Sequence, residues 1–251
     1  MEFIGDLEDL SLLRAEYERG SAAFVSKIDR MGQRFRGIRR TRGDGNCFYR
    51  GFCFAYLEAL ARSGDAAERA RMGALLDQWD KRLEARGIDR IVYEDALDVM
   101  RDLVRGEADG APIGPAEVLA RLRDEGSSQM LVMLLRFVTS VEIQDRAEFF
   151  APFILGSSDE FLSVEAFCNR SVMVMGEESD HVHVVALSDA LGVPLSVLYL
   201  DGNPLGGGAG AGAGGEGDDV PTHDFVPEGT PGPPVLSLLY RPGHYDVLYG
   251  A

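Results

Sequence analysis

Hydrophobic periodicity changes once along this chain, near Gly192, and that change sets the fold class. Before it, apolar residues recur at helical spacing: Leu10, Leu13 and Tyr17 at i, i+3, i+7, then Phe24, Ile28, Met31 and Phe35 at i, i+4, i+7, i+11. These two segments read as a helical arm over 1–36. Helical patterns continue over 47–62, 65–86, 91–105 and 115–125, and 128–150 is apolar on nearly every side, as a central core helix is. "SVEAFCNRSVMVM" continues helix and then turns toward strand. "SDHVHVVALSDALG" carries a Ser or Asp to cap its start and Gly192 to end it. Beyond Gly192, "VPLSVLYL", "VLSLLY" and "HYDVLYG" are short, β-rich and bounded by Pro and Gly. The prediction is a mostly helical α+β domain whose small sheet comes largely from the C-terminal quarter. Residues 206–217, "GGGAGAGAGGEG", have no side chains for a core and read as a flexible loop. No internal repeat and no linker between two cores is present, so residues 1–251 read as a single domain.

The net charge of −16 argues against non-specific nucleic-acid binding and favours a partner with a basic face. Basic residues do dominate from Lys27 to Arg50; that stripe reads as a solvated helix face or, less simply, as a contact with something acidic. "MEFIGDLEDL" lacks the basic and apolar regions of a signal peptide, and "MLVMLL" stops at Arg136, far short of a membrane span. The three cysteines, Cys47, Cys53 and Cys168, are odd in number and form no C-x-x-C, so neither a disulfide framework nor a zinc site is expected. A free thiol in a reducing, intracellular setting (cytoplasmic, with the nucleus as a second location) is expected.

One of those thiols has a special place. In "TRGDGNCFYRGF", Gly43 and Gly45 permit unusual backbone angles, Asp44 and Asn46 favour turns, and an apolar helix starts at Cys47. A sulfur there lies near unpaired N–H groups at the positive helix end, which favour a thiolate and can hold a developing oxyanion. The plainer reading is a loop followed by a helix with a buried Cys. Cys53 and Cys168 lie within helical stretches and read as packing residues.

A nucleophile needs a base, and there are four histidines. His223 adjoins the glycine-rich stretch and reads as exposed. His181 and His183 diverge on a helix and have no evident third ligand, so they cap the helix or border a site rather than bind metal. His244 opens a strand, and Asp246 lies two residues on, on the same face. Asp246 can then orient one ring nitrogen and leave the other for a thiol, while Tyr245 and Val247 face the core. A surface His–Asp pair is the plain alternative.

"DGNCFYR" together with a late "YRPGHYDVLY" resembles the otubain branch of the ovarian-tumour deubiquitinases. "ESDHVHVVAL" is similar to an otubain signature as well, and the likeness runs from about Leu7 to Tyr249. The resemblance implies a papain-like cysteine peptidase architecture, a small mixed sheet packed between helical layers. It implies a thiol-dependent hydrolase that cuts the isopeptide bond at ubiquitin's C-terminal glycine, without a metal or organic cofactor. Cys47 would be the nucleophile, His244 the base and Asp246 its orienter. Asp44 would belong to the catalytic set through its loop, with backbone N–H groups around Asp44, Asn46 and Cys47 forming the oxyanion hole. The helical arm would help bind a second ubiquitin. Implied partners are ubiquitin and polyubiquitin chains, with ubiquitin-conjugating enzymes next; neither nucleic acid nor a membrane is implied, and the chain is expected as a monomer. Gly43 stands where relatives often carry Pro, and the 206–217 insertion lengthens a loop that relatives use near ubiquitin. Little sequence precedes the arm, so restraint of conjugating enzymes through a long tail is not expected to carry over. Two other readings stay open at this stage: a binding module for ubiquitin or a conjugating enzyme with little turnover, and a peptidase for another ubiquitin-like modifier.

Overall fold

The chain opens with a strand, β1 (Ile4–Asp9), whose last residue is also a helix cap. Asp9 accepts from the Ser11 N–H at 2.8 Å and α1 (Leu10–Tyr17) begins. α2 (Ala22–Met31) and β2 (Phe35–Thr41) follow, then α3 (Cys47–Ser63), α4 (Ala66–Ala85), α5 (Arg90–Arg105), α6 (Pro115–Arg123) and α7 (Glu125–Asp145). After these come α8 (Ala147–Leu155), α9 (Val164–Phe167), a π-helical turn (Cys168–Val172), α10 (His181–Leu191), β3 (Leu195–Tyr199), β4 (Thr222–Phe225), β5 (Leu236–Arg241) and β6 (His244–Gly250). The computed structural model describes residues 2–20, 22–106, 112–156, 163–202, 220–230 and 232–250; the 206–217 stretch lies outside them. Aspartate caps recur at α4, α5, α7 and α10, and α3 and α10 end on Gly64 and Gly192 at positive φ.

One mixed sheet runs in the order β1-β2-β6-β5-β3-β4, antiparallel except for the β3–β5 pair. Alternation along the strands divides it into two buried faces. Leu195, Val197, Leu238, Tyr245 and Val247 face the larger core, built with α3, α4, α5, α6, α7 and α10. Ile38, Leu198, Leu239 and Leu248 face a smaller cluster completed by Leu10, Leu13, Ile28 and Met31 of α1 and α2. The α+β expectation therefore holds, with helices on both sides of the sheet.

Several readings change. The 1–36 segment, expected as a helical arm, supplies α1 and α2 but also β1, and it packs onto the sheet. β1 escaped notice because its apolar residues, Ile4 and Leu7, are spaced by a register shift and the strand is otherwise polar, with Asp and Glu. Phe35 opens β2 rather than continuing a helix; it meets Ile28 and Met31 in the same cluster, which is why its spacing mimicked one helical face. Two of the six strands, β1 and β2, thus come from the N-terminal part of the chain, and the other four from the C-terminal quarter. "SVEAFCNRSVMVM" runs from α9 into the π-helical turn and then into bends, not strand. His223 lies on β4, an edge strand hidden in a polar run.

The basic stripe is only partly a solvated face: Arg34 and Arg36 are exposed, but others turn inward. Lys27, Arg40 and Arg50 are buried. Lys27 donates to the carboxylate and, at 3.3 Å, to the carbonyl of Asp201; Arg40 pairs with Glu8 at 3.3 Å and Glu16 at 2.5 Å. The acidic partners are the chain's own. An ammonium with no exposure cannot lose its carboxylate cheaply. Asp201→Asn should therefore cost about 3 kcal/mol, whereas Lys27→Met, which removes the charge and keeps the volume, should cost no more than about 1 kcal/mol. Urea-unfolding midpoints of the two variants test that order.

Candidate active site

Cys47 is the first residue of α3 and is 4 % exposed. The loop before it is folded on itself. The Asp44 N–H donates to the Arg42 carbonyl at 3.0 Å, and the Asn46 N–H donates to Asp44 Oδ1 at 3.0 Å. One turn into the helix, buried Arg50 reaches back and binds both Asp44 oxygens, at 2.8 and 2.9 Å. Burial alone would raise the Asp44 carboxyl; the Arg50 bonds and charge and the Asn46 N–H outweigh it and hold the group below the ordinary carboxylate range. Asp44 is a brace for the loop, its oxygens taken by Arg50 and the Asn46 N–H. Arg50 is seated in turn by Ser128 at 3.1 Å and by the ring of Phe3, 4.5 Å from its guanidinium carbon.

Asn46, in the cap position, does not cap α3 with its side chain. Its amide oxygen accepts instead from the Gly176 N–H at 2.9 Å and from Arg136 at 2.9 and 3.2 Å. Arg136 has no exposure and sits in α7. It also donates to the carbonyls of Gly45 (3.0 Å), Val172 (2.9 Å) and Glu177 (2.7 Å), and lies over the Tyr49 ring at 4.6 Å. One guanidinium thus ties the Cys47 loop to the segment after the π-helical turn. Burial lowers its pKa, countered by Tyr49, Glu177, Asp44 and Cys47. The tie requires glycine: Gly45 has φ +74°, and a Cβ there would lie 1.7 Å from the Gly176 carbonyl oxygen.

His244 and Asp246 come from the far end of the chain. β5 and β6 turn through Pro242 and Gly243 (φ +76°), the residue pattern of a type II turn, so Arg241 and His244 pair across the hairpin. Asp246 has no exposure. Its Oδ1 meets His244 Nε2 at 2.9 Å and accepts from the Thr41 N–H at 3.0 Å; its Oδ2 accepts from Arg241 at 2.5 Å. Burial would raise this carboxyl, but the His244 bond, the charges of Arg241 and His244 and the Thr41 bond hold it down. The other side of the imidazole faces the Cys47 loop, its Nδ1 3.6 Å from where a Cβ on Gly43 would lie, and Cys47 is near enough to raise the ring's pKa. Since Nε2 faces Asp246, Nδ1 is the nitrogen left for sulfur. Burial lowers the imidazole pKa, but Asp246 and Cys47 prevail and raise it to about 9. Behind this contact the next residues pack together: the Phe48 and Tyr245 rings lie 5.3 Å apart, joining the helix start to the strand start.

The structure therefore brings Cys47, His244, Asp246 and the Asp44 loop into one place. Cys53 and Cys168 are buried elsewhere, and burial raises their thiols to about 12 and about 11. His183 is buried and completes a capping box with Asp180 at the start of α10. His181 packs edge-on against His223 and at a tilt against Phe225; burial and the nearby His223 lower its pKa. His223, read as exposed, is exposed. Among the described residues no group of three or more His, Cys, Asp or Glu is placed to hold a metal. Of the three N–H groups expected to form an oxyanion hole, those of Asp44 and Asn46 already have acceptors inside the loop, which leaves the Cys47 N–H as the donor supplied by the helix start. Arg50, Arg136, Arg241 and Thr41 were not foreseen. The one signal for Arg136 was a lone charge inside the apolar run "MLVMLLRFV".

The family model for peptidase C65, otubain, matches residues 1–250. "OVARIAN TUMOR DOMAIN-containing deubiquitinating enzyme 1" of Arabidopsis thaliana is 43% identical over 258 residues, covering 98% of this chain and 80% of that protein. Human "Ubiquitin thioesterase OTUB1" is 37% identical over 241 residues, covering 96% of this chain and 80% of that protein. Among solved structures, the OTUB1 chain of a complex with ubiquitin aldehyde and UBC13~Ub aligns with a TM-score of 0.83 and 30% identity, covering 100% of this chain and 91% of that one.

The loop geometry separates its two glycines. A Cβ on Gly43 would meet His244 Nδ1 at an ordinary 3.6 Å, and its φ is not positive. Gly43→Ala should stabilise the fold by about 0.4–1 kcal/mol. Gly45→Ala should destabilise it by at least about 2 kcal/mol, from left-handed strain and the clash with Gly176, and slow alkylation of Cys47. Chemical denaturation and the iodoacetamide rate read both effects.

Proposed function

Because the chain belongs to the peptidase C65 otubain family, we propose that it is a cysteine-type deubiquitinase that hydrolyses the bond at ubiquitin's C-terminal glycine. The observation that carries this is a single imidazole bonded through Nε2 to a buried carboxylate, with its Nδ1 turned to the loop that ends at the helix-start thiol. The Cys47 sulfur, its proton already passed to His244 Nδ1, attacks the glycine carbonyl carbon. The carbonyl electron pair moves onto oxygen, beside the Cys47 N–H at the positive end of α3. The intermediate collapses with cleavage of the C–N bond, and the imidazolium protonates the departing lysine amine. Water, deprotonated by His244, then cleaves the thioester and restores the thiol. Asp246 fixes the tautomer and supports the imidazolium throughout. Such a thiol suits a reducing compartment, the cytoplasm or nucleus.

Conjugating enzymes charged with ubiquitin are the second proposed partner class, since the similar solved chains are held in complexes with UBC13~Ub and UBCH5B~Ub. Such a complex is compatible with turnover at Cys47. A binding module without turnover is the rival reading, and an electrophilic ubiquitin probe separates the two: labelling at Cys47 marks an enzyme, binding without labelling a module.

A panel of di-ubiquitins of each linkage tests the proposal and reads the linkage preference. Cys47→Ala should abolish cleavage and retain ubiquitin binding; full cleavage by that variant removes the assignment. Asp246→Asn should be milder, a loss of about ten- to a thousandfold in kcat. A panel of ubiquitin-like modifiers identifies a different modifier, if one is the substrate.

The pH dependence has a defined sign. His244 is raised from 6.5 to about 9, so the imidazolium persists to about pH 9 and kcat/KM should fall above it. The protonated ring also contributes stability that is complete below pH 6.5 and lost as pH rises through about 9. The drop in Tm across that window should shrink in His244→Gln.

A further inference from the structure

The N-terminal helix reaches the reacting groups through one side chain, Arg241. Arg241, His244 and Asp246 share the sheet face of Leu239 and Leu248, and α1 packs on that face through Leu10 and Leu13. From α1, Glu16 Oε2 lies 3.9 Å from Arg241 Nη1, and the Tyr17 side chain is near enough to help raise the pKa of Arg241. Neither anchor is loose. Tyr17 stacks on Phe24 of α2 with centroids 4.7 Å apart, and Glu16 is also gripped by Arg40 of β2 at 2.5 Å. On its other side Arg241 donates to Asp246 Oδ2 at 2.5 Å.

Asp246 is thus held from three strands. Thr41 of β2 and His244 of β6 share Oδ1, and Arg241 of β5 alone takes Oδ2 among the contacts described. Oδ1 by itself leaves the carboxylate free to turn about its Cβ–Cγ bond, and the imidazole would follow it. Without Arg241 a carboxylate with no exposure would also lack its one guanidinium partner. A side chain that only closed the hairpin would affect stability, not the bond between Asp246 and His244.

We propose that Arg241 is a positioning residue for the reaction at Cys47: it fixes Asp246 from the side opposite His244 and is itself fixed by Glu16 and Tyr17, so that α1 sets the orientation of the imidazole. This rests on Cys47, His244 and Asp246 being the reacting set. The N-terminal segment then has a role in turnover of a single ubiquitin conjugate, separate from any contact with a second ubiquitin.

The test is steady-state hydrolysis of ubiquitin carrying a fluorogenic amine at its C-terminus, a substrate with no second ubiquitin. Arg241→Met should lower kcat about ten- to a hundredfold with KM within about twofold, the loss expected when a reacting group is misplaced by a fraction of an ångström to an ångström. Arg241→Lys should recover most of that loss. The double variant Glu16→Gln/Tyr17→Phe should lower kcat about threefold in the native background and have no further effect on Arg241→Met, as residues acting through one another do. A native kcat in Arg241→Met, a loss confined to KM, or a full effect of the α1 double variant in the absence of Arg241 overturns the proposal. If Arg241→Met does not fold, as judged by its Tm, Arg241→Lys and the α1 variant decide: native kcat in both overturns it. Cys47→Ala, run beside them, separates the two readings. Turnover by Cys47→Ala removes the reacting set, whereas its silence combined with a full-rate Arg241→Met removes only the role of Arg241.

Discussion

A carboxylate with no access to water governs this fold's chemistry. Isolated in a protein interior, Asp246 would cost several kcal/mol and take up a proton. It stays ionised only because donors from β2, β5 and β6 converge on its two oxygens. That convergence needs β6 to lie between β2 and β5, which is the central order of the sheet. The sheet's topology and the site's electrostatics are therefore one requirement. A hairpin alone would bring Arg241 to Asp246, but only the adjacent β2, more than two hundred residues earlier (a separation of 205), brings the Thr41 N–H.

The Cys47 side is held by the same means with the sign reversed. Arg136 is a buried cation whose hydrogen-bond acceptors are backbone carbonyls and the Asn46 amide. Many neutral dipoles replace one carboxylate. The result is a positive charge that stays available near Cys47 while its hydrogen bonds fix the loop. Arg50 does pair with a carboxylate, and there the charge is consumed in bracing Asp44. The large apolar core fixes the height of α3 over the sheet through Phe48 and Tyr245, and the buried polar ties fix the last rotation of each side chain.

What could be read from the sequence was local. The glycine turn, the helix starting at Cys47 and the two-residue step from His244 to Asp246 each follow from backbone preference or strand period, and the structure contains all three. Gly192 ends α10 because only a left-handed residue fits there. The parts that escaped depend on partners distant in the chain. Lys27 looks like a surface lysine until Asp201 is seen beside it, 174 residues away. Arg136 looks like the end of an apolar run until the carbonyls of 45, 172 and 177 close around it. β1 and β4 are edge strands with mostly polar residues, so neither shows the apolar alternation that reveals a central strand. The family likeness pointed to Cys47, His244 and Asp246 but not to these ties.

The loop before Cys47 shows how rigidity and chemistry meet. Its hydrogen bonds already occupy the N–H groups of Asp44 and Asn46, so an oxyanion arriving beside Cys47 meets one donor ready and two engaged. The Asp44 N–H is engaged by the Arg42 carbonyl and the Asn46 N–H by Asp44 Oδ1. Asp44 Oδ1 is shared among the Asn46 N–H and Arg50, whereas the Asn46 side chain is fixed independently by Arg136 and Gly176. If an anion draws the Asn46 N–H away, Asp44 keeps its bidentate guanidinium and the loop keeps its anchor to Gly176. The exchange costs one neutral-to-charged hydrogen bond and returns another of the same kind, so it is nearly balanced. A site with both the carboxylate and the Asn46 amide held from behind can therefore change its backbone donors without unpacking, which a loop fastened only through those N–H groups could not do.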